Sequence, residues 1–550
     1  QVVRKAATDR VIERNAAVQL CYVEVDEPDM HKPLGDLDRL KVMLEKDWGW
    51  KDLLIAPHLI PQVQGILRKG NWAVTAAIHR DMDSSRPFIV GLWPGLKNEA
   101  YGVACDIGST TIAMHLVSLL SGRIVASSGT SNPQIRFGED LMSRVSYVMM
   151  NPDGREAMTK AVREAVNGLI GKVCTEGEVD RHDILDMVFV ANPIMHHLFL
   201  GIDPTELGQA PFALAVSGAL QYWAHEIDID VNRGARLYML PCIAGHVGAD
   251  AAGATLAEGP YRQDKMMLLV DVGTNAEIVL GNKDRVVAAS SPTGPAFEGA
   301  EISSGQRAAP GAIERVRIDP QTLEPRFRVI GVEKWSDEEG FAEAASSVGV
   351  TGICGSAIIE IVAEMYLSGI ISEDGVVDGG MAAKSPRIIP NGRTFSYLLH
   401  DGEPRITVTQ NDIRAIQLAK AALYAGIKLL MEKQGVDHVD TIRFAGAFGS
   451  FIDPKYAMVL GLIPDCDLED VKAVGNAAGT SALMALLNRG HRREIEQTVS
   501  KIEKIETALE SKFQEHFVNA MAMPNKVDQF PKLAAEEVLG LLFGQAVVTM

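Results

Sequence analysis

The stretch Tyr101 to Thr111, YGVACDIGSTT, decides how this chain is read. The apolar run Tyr101–Cys105 has the look of a buried strand. It delivers Asp106 to its end and turns through Gly108 into the hydroxyl cluster Ser109, Thr110 and Thr111. Each part suits a phosphate: glycine lets the backbone come close, amides and hydroxyls donate to oxygens, and a carboxylate holds water or magnesium. Taken alone, the motif is also what an ordinary strand-to-turn junction looks like.

Working outward, the motif occurs a second time. Met266–Val270 is followed by Asp271, Val272, Gly273, Thr274 and Asn275. The flanks repeat as well: Ile112–Val117 corresponds to Ala276–Leu280 as a second strand, and Ser121–Ser128 to Lys283–Ser291 as a third. Strand, phosphate-type turn, strand, turn, strand is therefore duplicated, which predicts two β-meanders able to clamp a polyphosphate from both sides.

The totals set the frame. A chain of 550 residues has room for two to four domains, and its 47% apolar and 23% charged residues are those of a water-soluble globular protein. A formal charge of −18 argues against a nucleic-acid partner, which demands a basic footprint, while leaving room for a nucleotide site built from local donors. The six cysteines, at 21, 105, 174, 242, 354 and 466, have no C-x-x-C spacing, so no zinc or iron–sulfur site is legible, and Cys105 and Cys354 read as buried thiols. No apolar run reaches membrane-spanning length and no signal peptide opens the chain, so a cytoplasmic, reducing setting is expected.

Residues 1–16 are polar and read as a linker or first helix. From Val18 an alternating strand, a helix near Leu37–Leu44 and two further apolar runs make a small α+β module without evident chemistry. After the first meander, Arg136, Gly138, Glu139 and Asp140 begin an irregular segment. Apolar residues at 158, 162, 165, 166, 169 and 173 then mark one face of a helix. The strand Met187–Ala191 leads to Asn192, Pro193 and the pair His196–His197. Neighbouring helical residues point apart, so a capping Asn is preferred there over a shared metal ion. Leu240–Gly259 holds a small-residue helix, and Ser290–Ile313 is a Gly/Pro-rich loop carrying Glu298 and Glu301. Ala357–Tyr366 and the stretch from Ile413 to Gly435 read as helices, the second opening on a Thr409–Asp412 cap. A third glycine motif follows the strand Thr441–Ala445: Gly446, Ala447, Phe448 and Gly449 offer bare backbone against which an adenosine ring fits.

With these three motifs in order, the chain resembles the actin, sugar-kinase and heat-shock-chaperone ATPase superfamily. More narrowly, it is similar to the reductive activators of corrinoid-dependent methyltransferases. The resemblance is carried by YGVACDIGSTTIAMHL, NPQIRFGEDLMSRV, ANPIMHHLFLGI, GHVGADAAGA, LLVDVGTNAEIVL, TGPAFEGAEISSG, TGICGSAII, TQNDIRAIQLAKAAL, FAGAFGSFIDP and GNAAGTSAL. It implies an α/β actin-like ATPase fold of two duplicated βββαβα subdomains with a preceding small α+β middle domain. The implied division is a linker at 1–16, the middle domain at 17–98, ATPase subdomains at 99–265 and 266–485 with an insertion near 314–345, and a C-terminal helical extension at 486–550.

The resemblance also implies a chemistry. Such proteins use ATP to drive reduction of inactive Co(II) corrinoid to nucleophilic Co(I), with electrons passing through a ferredoxin-like domain that holds a [2Fe–2S] cluster. No cysteine precedes Cys21, so that domain is expected to be missing here, through fragmentation (which Gln1 favours) or because a variant uses another donor. Asp106 and Asp271 would position Mg²⁺ through water. Gly108–Thr111 and Gly273–Asn275 would donate to the phosphates of ATP, and Gly446–Gly449 would hold the adenosine. Glu277 could orient water or serve a structural ion pair; Glu298 is either functional or a turn carboxylate. The implied partner is a corrinoid protein or cobalamin-dependent methyltransferase, and the implied assembly a homodimer. Two other readings fit the same fold: a small-molecule kinase, and a non-catalytic actin-like scaffold that binds ATP.

Overall fold

The computed structural model describes residues 11–82, 85–273 and 275–535. These form two compact units, one made of the described residues up to Ala257 plus Asn476–Lys501, the other of Glu258–Gly475 and the described residues from Ile502 onward.

The first unit begins with a four-stranded sheet of β1 (Val18–Glu24), β2 (Leu54–Ile55), β3 (Ala73–His79) and β4 (Phe88–Pro94), ordered β1-β3-β4-β2. Alternation puts Cys21 and Val23 inside, where the helix Asp36–Trp48 meets them with Leu40 and Leu44 and stops at Gly49 in the left-handed conformation. The short β2 and the helix Val63–Lys69 add to the strand–helix–strand–strand read from the sequence. Residues 11–16 form no helix; Asn15 bridges instead to Asn488. Residues 1–10 lie outside the described residues.

Next come β5 (Tyr101–Ile107), β6 (Thr111–Ser118), β7 (Ile124–Ser131), β8 (Ile184–Ala191), β9 (Leu220–Trp223) and β10 (Arg236–Met239). They build one sheet in the order β7-β6-β5-β8-β10-β9. β5 to β7 are the antiparallel meander that the repeat predicts, while β8 lies parallel to β5 and β10 parallel to β8. Every residue of β8 is buried, as befits a central strand covered on both faces. The helix Gly154–Gly177 buries Met158, Val162, Val166, Leu169 and Val173, the face its periodicity marks.

The second unit repeats the plan. β11 (Met267–Asp271), β12 (Ala276–Gly281) and β13 (Val286–Ser291) form the second meander. Two small sheets follow, one of β14 (Ala312–Ile318), β15 (Pro325–Val329) and β16 (Gly352–Ile353), the other of β17 (Ile388–Asn391), β18 (Thr394–His400) and β19 (Ile406–Val408). β20 (Thr441–Ala445), β21 (Val471–Gly475) and β22 (Glu503–Lys504) complete the main sheet, ordered β21-β20-β11-β12-β13-β22. Both main sheets thus share one plan, a three-stranded meander with two parallel strands added beside its first strand. This is the duplicated architecture of the actin-like α/β fold.

The helix Gln410–Gln434 starts at a capping box in which Thr409 and Asp412 exchange hydrogen bonds, and ends at Gly435 with φ 71°. Such a cap is worth about 1 kcal/mol. The sequence was divided at 485, but the helix Ala477–Leu487 packs on β5 and β8 of the first unit. The tail also differs from a succession of helices. Between the helices Gly490–Val499 and Phe513–Asn519 it contributes β22, which pairs in parallel with β13. Residues 536–550 of the tail lie outside the described residues.

Arg492, on the helix Gly490–Val499, is buried with Nη1 2.6 Å from Asp81 Oδ1 and Nη2 2.5 Å from Asp186 Oδ2. The three residues come from the small N-terminal sheet's flank, from β8 and from the C-terminal segment, so one ion cluster ties these parts of the first unit together.

Candidate functional site

In the first hairpin β5 runs one residue past Asp106, to Ile107, so the aspartate is the penultimate residue of the strand and not its end. It is buried and stands opposite Ala113 of β6. The turn that follows has every one of its carbonyls engaged by the protein. Thr111 O accepts from Gly108 N at 3.1 Å and Thr110 O from Asn132 N at 2.8 Å. Gly108 O accepts from Asn132 Nδ2 at 2.9 Å, and Ser109 O from Arg144 Nη2 at 2.6 Å. With its acceptors and Gly108 N engaged within the protein, the turn is left with its side-chain donors: the hydroxyls of Ser109, Thr110 and Thr111 make no hydrogen bond among the described residues. An anion cradle needs this polarity, with dipole positive ends outward and negative ends tied down.

The second turn is secured the same way. Thr293 Oγ1 donates to Gly273 O at 2.7 Å, so the equivalent glycine carbonyl is held in both copies by a side chain just past the third strand. Asp271 is the last residue of β11 and pairs in parallel register with Ala445, the last of β20. Gly446 follows at φ +83°, and a Cβ there would overlap Asp271 Oδ1. The fold therefore brings the second phosphate turn and the predicted adenosine loop to the same sheet edge. The loop itself is a single helical turn, Gly446–Gly449, with the Phe448 ring stacked on Phe297 at 6.4 Å between centroids.

Glu277 stands directly opposite Asp271 in the β11–β12 ladder. Residues paired this way project from the same face about 5 Å apart. The second turn is one residue shorter than the first, and the place that Ala113 fills opposite Asp106 is filled by Glu277 opposite Asp271. Glu298 closes the turn Pro295–Glu298, with Oε1 3.9 Å from where a Cβ on Gly273 would sit. Asp271, Glu277, Glu298, Gly273 and Gly446 are thus gathered in the second unit. Asn275 lies in the same turn; Thr274 and the side chain of Ala447 lie outside what is described. Among the described residues no group of three or more His, Cys, Asp or Glu side chains could hold a metal by itself.

The histidine pair behaves otherwise. Asn192 caps the helix Pro193–Leu200, accepting from Met195 N at 3.0 Å, as the sequence suggests. The two rings do meet, contrary to the spacing argument. His197 Nε2 accepts from Ala215 N at 3.0 Å, which leaves its proton on Nδ1, 3.2 Å from His196 Nδ1. Burial, with the His197 ring beside it, pushes His196 down to about 3. All six cysteines are buried free thiols.

Asn132, Arg144 and Thr293 escaped the sequence reading. Extending the repeat a few residues beyond the third strands would have flagged Asn132 and Thr293, which sit one and two residues past β7 and β13. Arg144 carries no such signal.

Comparison with known proteins follows this geometry. The family model described as the C-terminal domain of RACo, the ASKHA domain, matches residues 265–534. The RACo middle region matches 101–263 and the RACo linker region 7–99, so the module read above as the middle domain carries the linker description. The corrinoid activation enzyme RamQ of Eubacterium limosum is 33% identical over 540 residues, covering 94% of this chain and 86% of RamQ. The chain belongs to the RACo family. The [Co(II) methylated amine-specific corrinoid protein] reductase of Methanosarcina barkeri is 25% identical over 422 residues, 73% of each chain. A solved reductive activator for corrinoid, iron–sulfur protein superposes with a TM-score of 0.80 at 31% identity, over 95% of this chain and 81% of that one. The chain is thus homologous to corrinoid activation enzymes and reductive activators, and its second unit is an ASKHA domain. Among the described residues no helix is long and apolar enough to cross a membrane.

Proposed function

We propose that this member of the RACo family is an ATP-dependent reductive activator, which binds a corrinoid protein and promotes reduction of its inactive Co(II) to Co(I). The observation that carries this reading is the likeness to RamQ along nearly the whole chain. The two phosphate-type turns support it. Gly108–Thr111 and Gly273–Asn275 donate to the phosphates of ATP, and Gly446–Gly449 flanks the adenosine. Asp106 and Asp271 are the residues that would hold Mg²⁺, which would supply charge neutralisation for the phosphates. Glu277, with Glu298 near, orients the hydrolytic water. Binding the corrinoid partner in one nucleotide state and releasing it in the other requires that its affinity differ between the two. A ferredoxin-like [2Fe–2S] electron donor, a homodimer and a cytoplasmic setting, which the free thiols suit, belong to the same proposal.

The test is ATP hydrolysis with and without a corrinoid protein. Stimulation by the Co(II) form but not by the methylated form supports activation. Phosphate transferred to a small metabolite would point to a kinase, and ATP-dependent growth of light scattering to a scaffold; either would overturn the reading.

A further inference from the structure

Arg144 is fully buried. Its Nη2 donates to Ser109 O at 2.6 Å and its Nε to Gly138 O at 2.9 Å, while Nη1 lies 3.3 Å from Met195 Sδ. Among the described residues it forms no ion pair, whereas the equally buried Arg492 is neutralised by Asp81 and Asp186. The acid that faces it is Asp140, exposed at the cap of its own helix, with both oxygens committed to Ser143 N and Oγ at 2.8 and 2.6 Å. Burial pulls the Arg144 guanidinium down to about 10, with Asp140 resisting, so it is charged at neutral pH. A sealed cation is expensive unless its charge is answered. Two carbonyls and a thioether answer it in part, and the strongest of these contacts runs into the back of the turn at Ser109.

We propose that Arg144 is the fixed counter-charge of the first phosphate turn, a positioning residue that holds Ser109 and draws a polyphosphate to Gly108–Thr111. This rests on reading residues 106–111 as part of a nucleotide site. The charge acts through the turn and touches no ligand, and it needs no counter-ion of its own because the bound phosphates supply it. A guanidinium in this place cannot lose its proton near neutrality, so the attraction is permanent.

The test uses the full chain, with ATP, ADP, AMP and adenosine titrated separately by calorimetry. In Arg144→Gln, which can keep the donor that Nε offers Gly138 O but removes the charge and the bond to Ser109 O, ATP affinity falls roughly ten- to fiftyfold, ADP less, and adenosine less than about twofold. Equal losses for all four ligands, or none, overturn the proposal. If the wild type binds none of the four, the nucleotide reading itself fails; if it binds ATP and Arg144→Gln binds it as tightly, only the role of Arg144 fails. Arg144→Lys guards against a misfolded Gln variant. A buried lysine has a depressed pKa, so its ATP affinity should match the wild type at lower pH and fall as pH rises, while the wild type stays flat. Asp140 and the His196–His197 pair are the same in both proteins, so the wild type is the control for them. A flat profile in Arg144→Lys with affinity lost at every pH would overturn the role of charge.

Discussion

Gly446 and Asp271 are packed so closely that the glycine has no room for a side chain: a Cβ would overlap the carboxylate Oδ1. The contact follows from parallel pairing of β11 with β20, which sets the last residues of both strands side by side. It makes the start of the Gly446–Gly449 turn and the end of β11 a single rigid corner.

Gly446→Ala should therefore damage that corner twice, through the φ of +83° and through the overlap. The left-handed conformation alone costs about 1–2 kcal/mol for a residue with a side chain. We expect a lower melting temperature for the second unit and a loss of ATP affinity, read by calorimetry; a variant that melts and binds like the wild type would contradict the packing described.

Asp271 and Glu277 are opposed like charges, and their separation predicts different outcomes for binding and turnover. Glu277→Gln keeps the shape of the side chain and removes its charge, so ATP binding should hold while ATP hydrolysis drops about 10²–10⁴-fold if the carboxylate orients water. Steady-state kinetics beside a binding titration checks this. Unchanged kcat would assign Glu277 a structural role.

Asn132→Asp keeps the acceptor that caps Gln134 N but exchanges the donor to Gly108 O for a carboxylate. The glycine carbonyl then faces a negative group, and ATP affinity should weaken by about tenfold. Thr293→Val makes the milder version of the same cut in the second turn.

Much of this was legible because duplication is a property of the sequence: both meanders stand where the repeat puts them, with Asp271 at its strand end and Asp106 one residue short of it, and the glycine turn follows the strand Thr441–Ala445. What stayed hidden depends on contacts made across the chain. Arg144 reaches Ser109 over 35 residues to bond a carbonyl, a group every residue has, so no residue type announces it. The helix Ala477–Leu487 is a run of small and apolar residues that would pack equally well on either sheet. The tail's β22 is two charged residues long, too short for any alternation to show.

Arg492→Met should be costly in stability. It strips the countercharge from Asp81 and Asp186 at once, and breaking one side of a buried ion pair typically costs about 3–5 kcal/mol. Burial acts to raise the Asp186 pKa, but the Arg492 guanidinium and His79 together outweigh it and leave the carboxyl below its ordinary value. Thermal melting of the first unit measures the loss.

The imidazole pair gives a pH signature of its own. His196 is held at about 3 against an ordinary 6.5, so the folded state refuses a proton that the unfolded chain accepts. Stability from this group is full above pH 6.5 and is lost as pH falls from there toward about 3, at up to about 1.4 kcal/mol per unit. Replacing His196 with Gln should flatten that part of the stability profile, which denaturant melts at stepped pH will show.

The shorter second hairpin separates the two halves at one position. A turn trimmed by one position re-registers everything after it, and the site across from the strand-end acid is alanine in one half and glutamate in the other. The two halves share one meander plan and differ at this one facing position, a difference that needs no change in the strands themselves. The difference is local, and the frame around it is common to both.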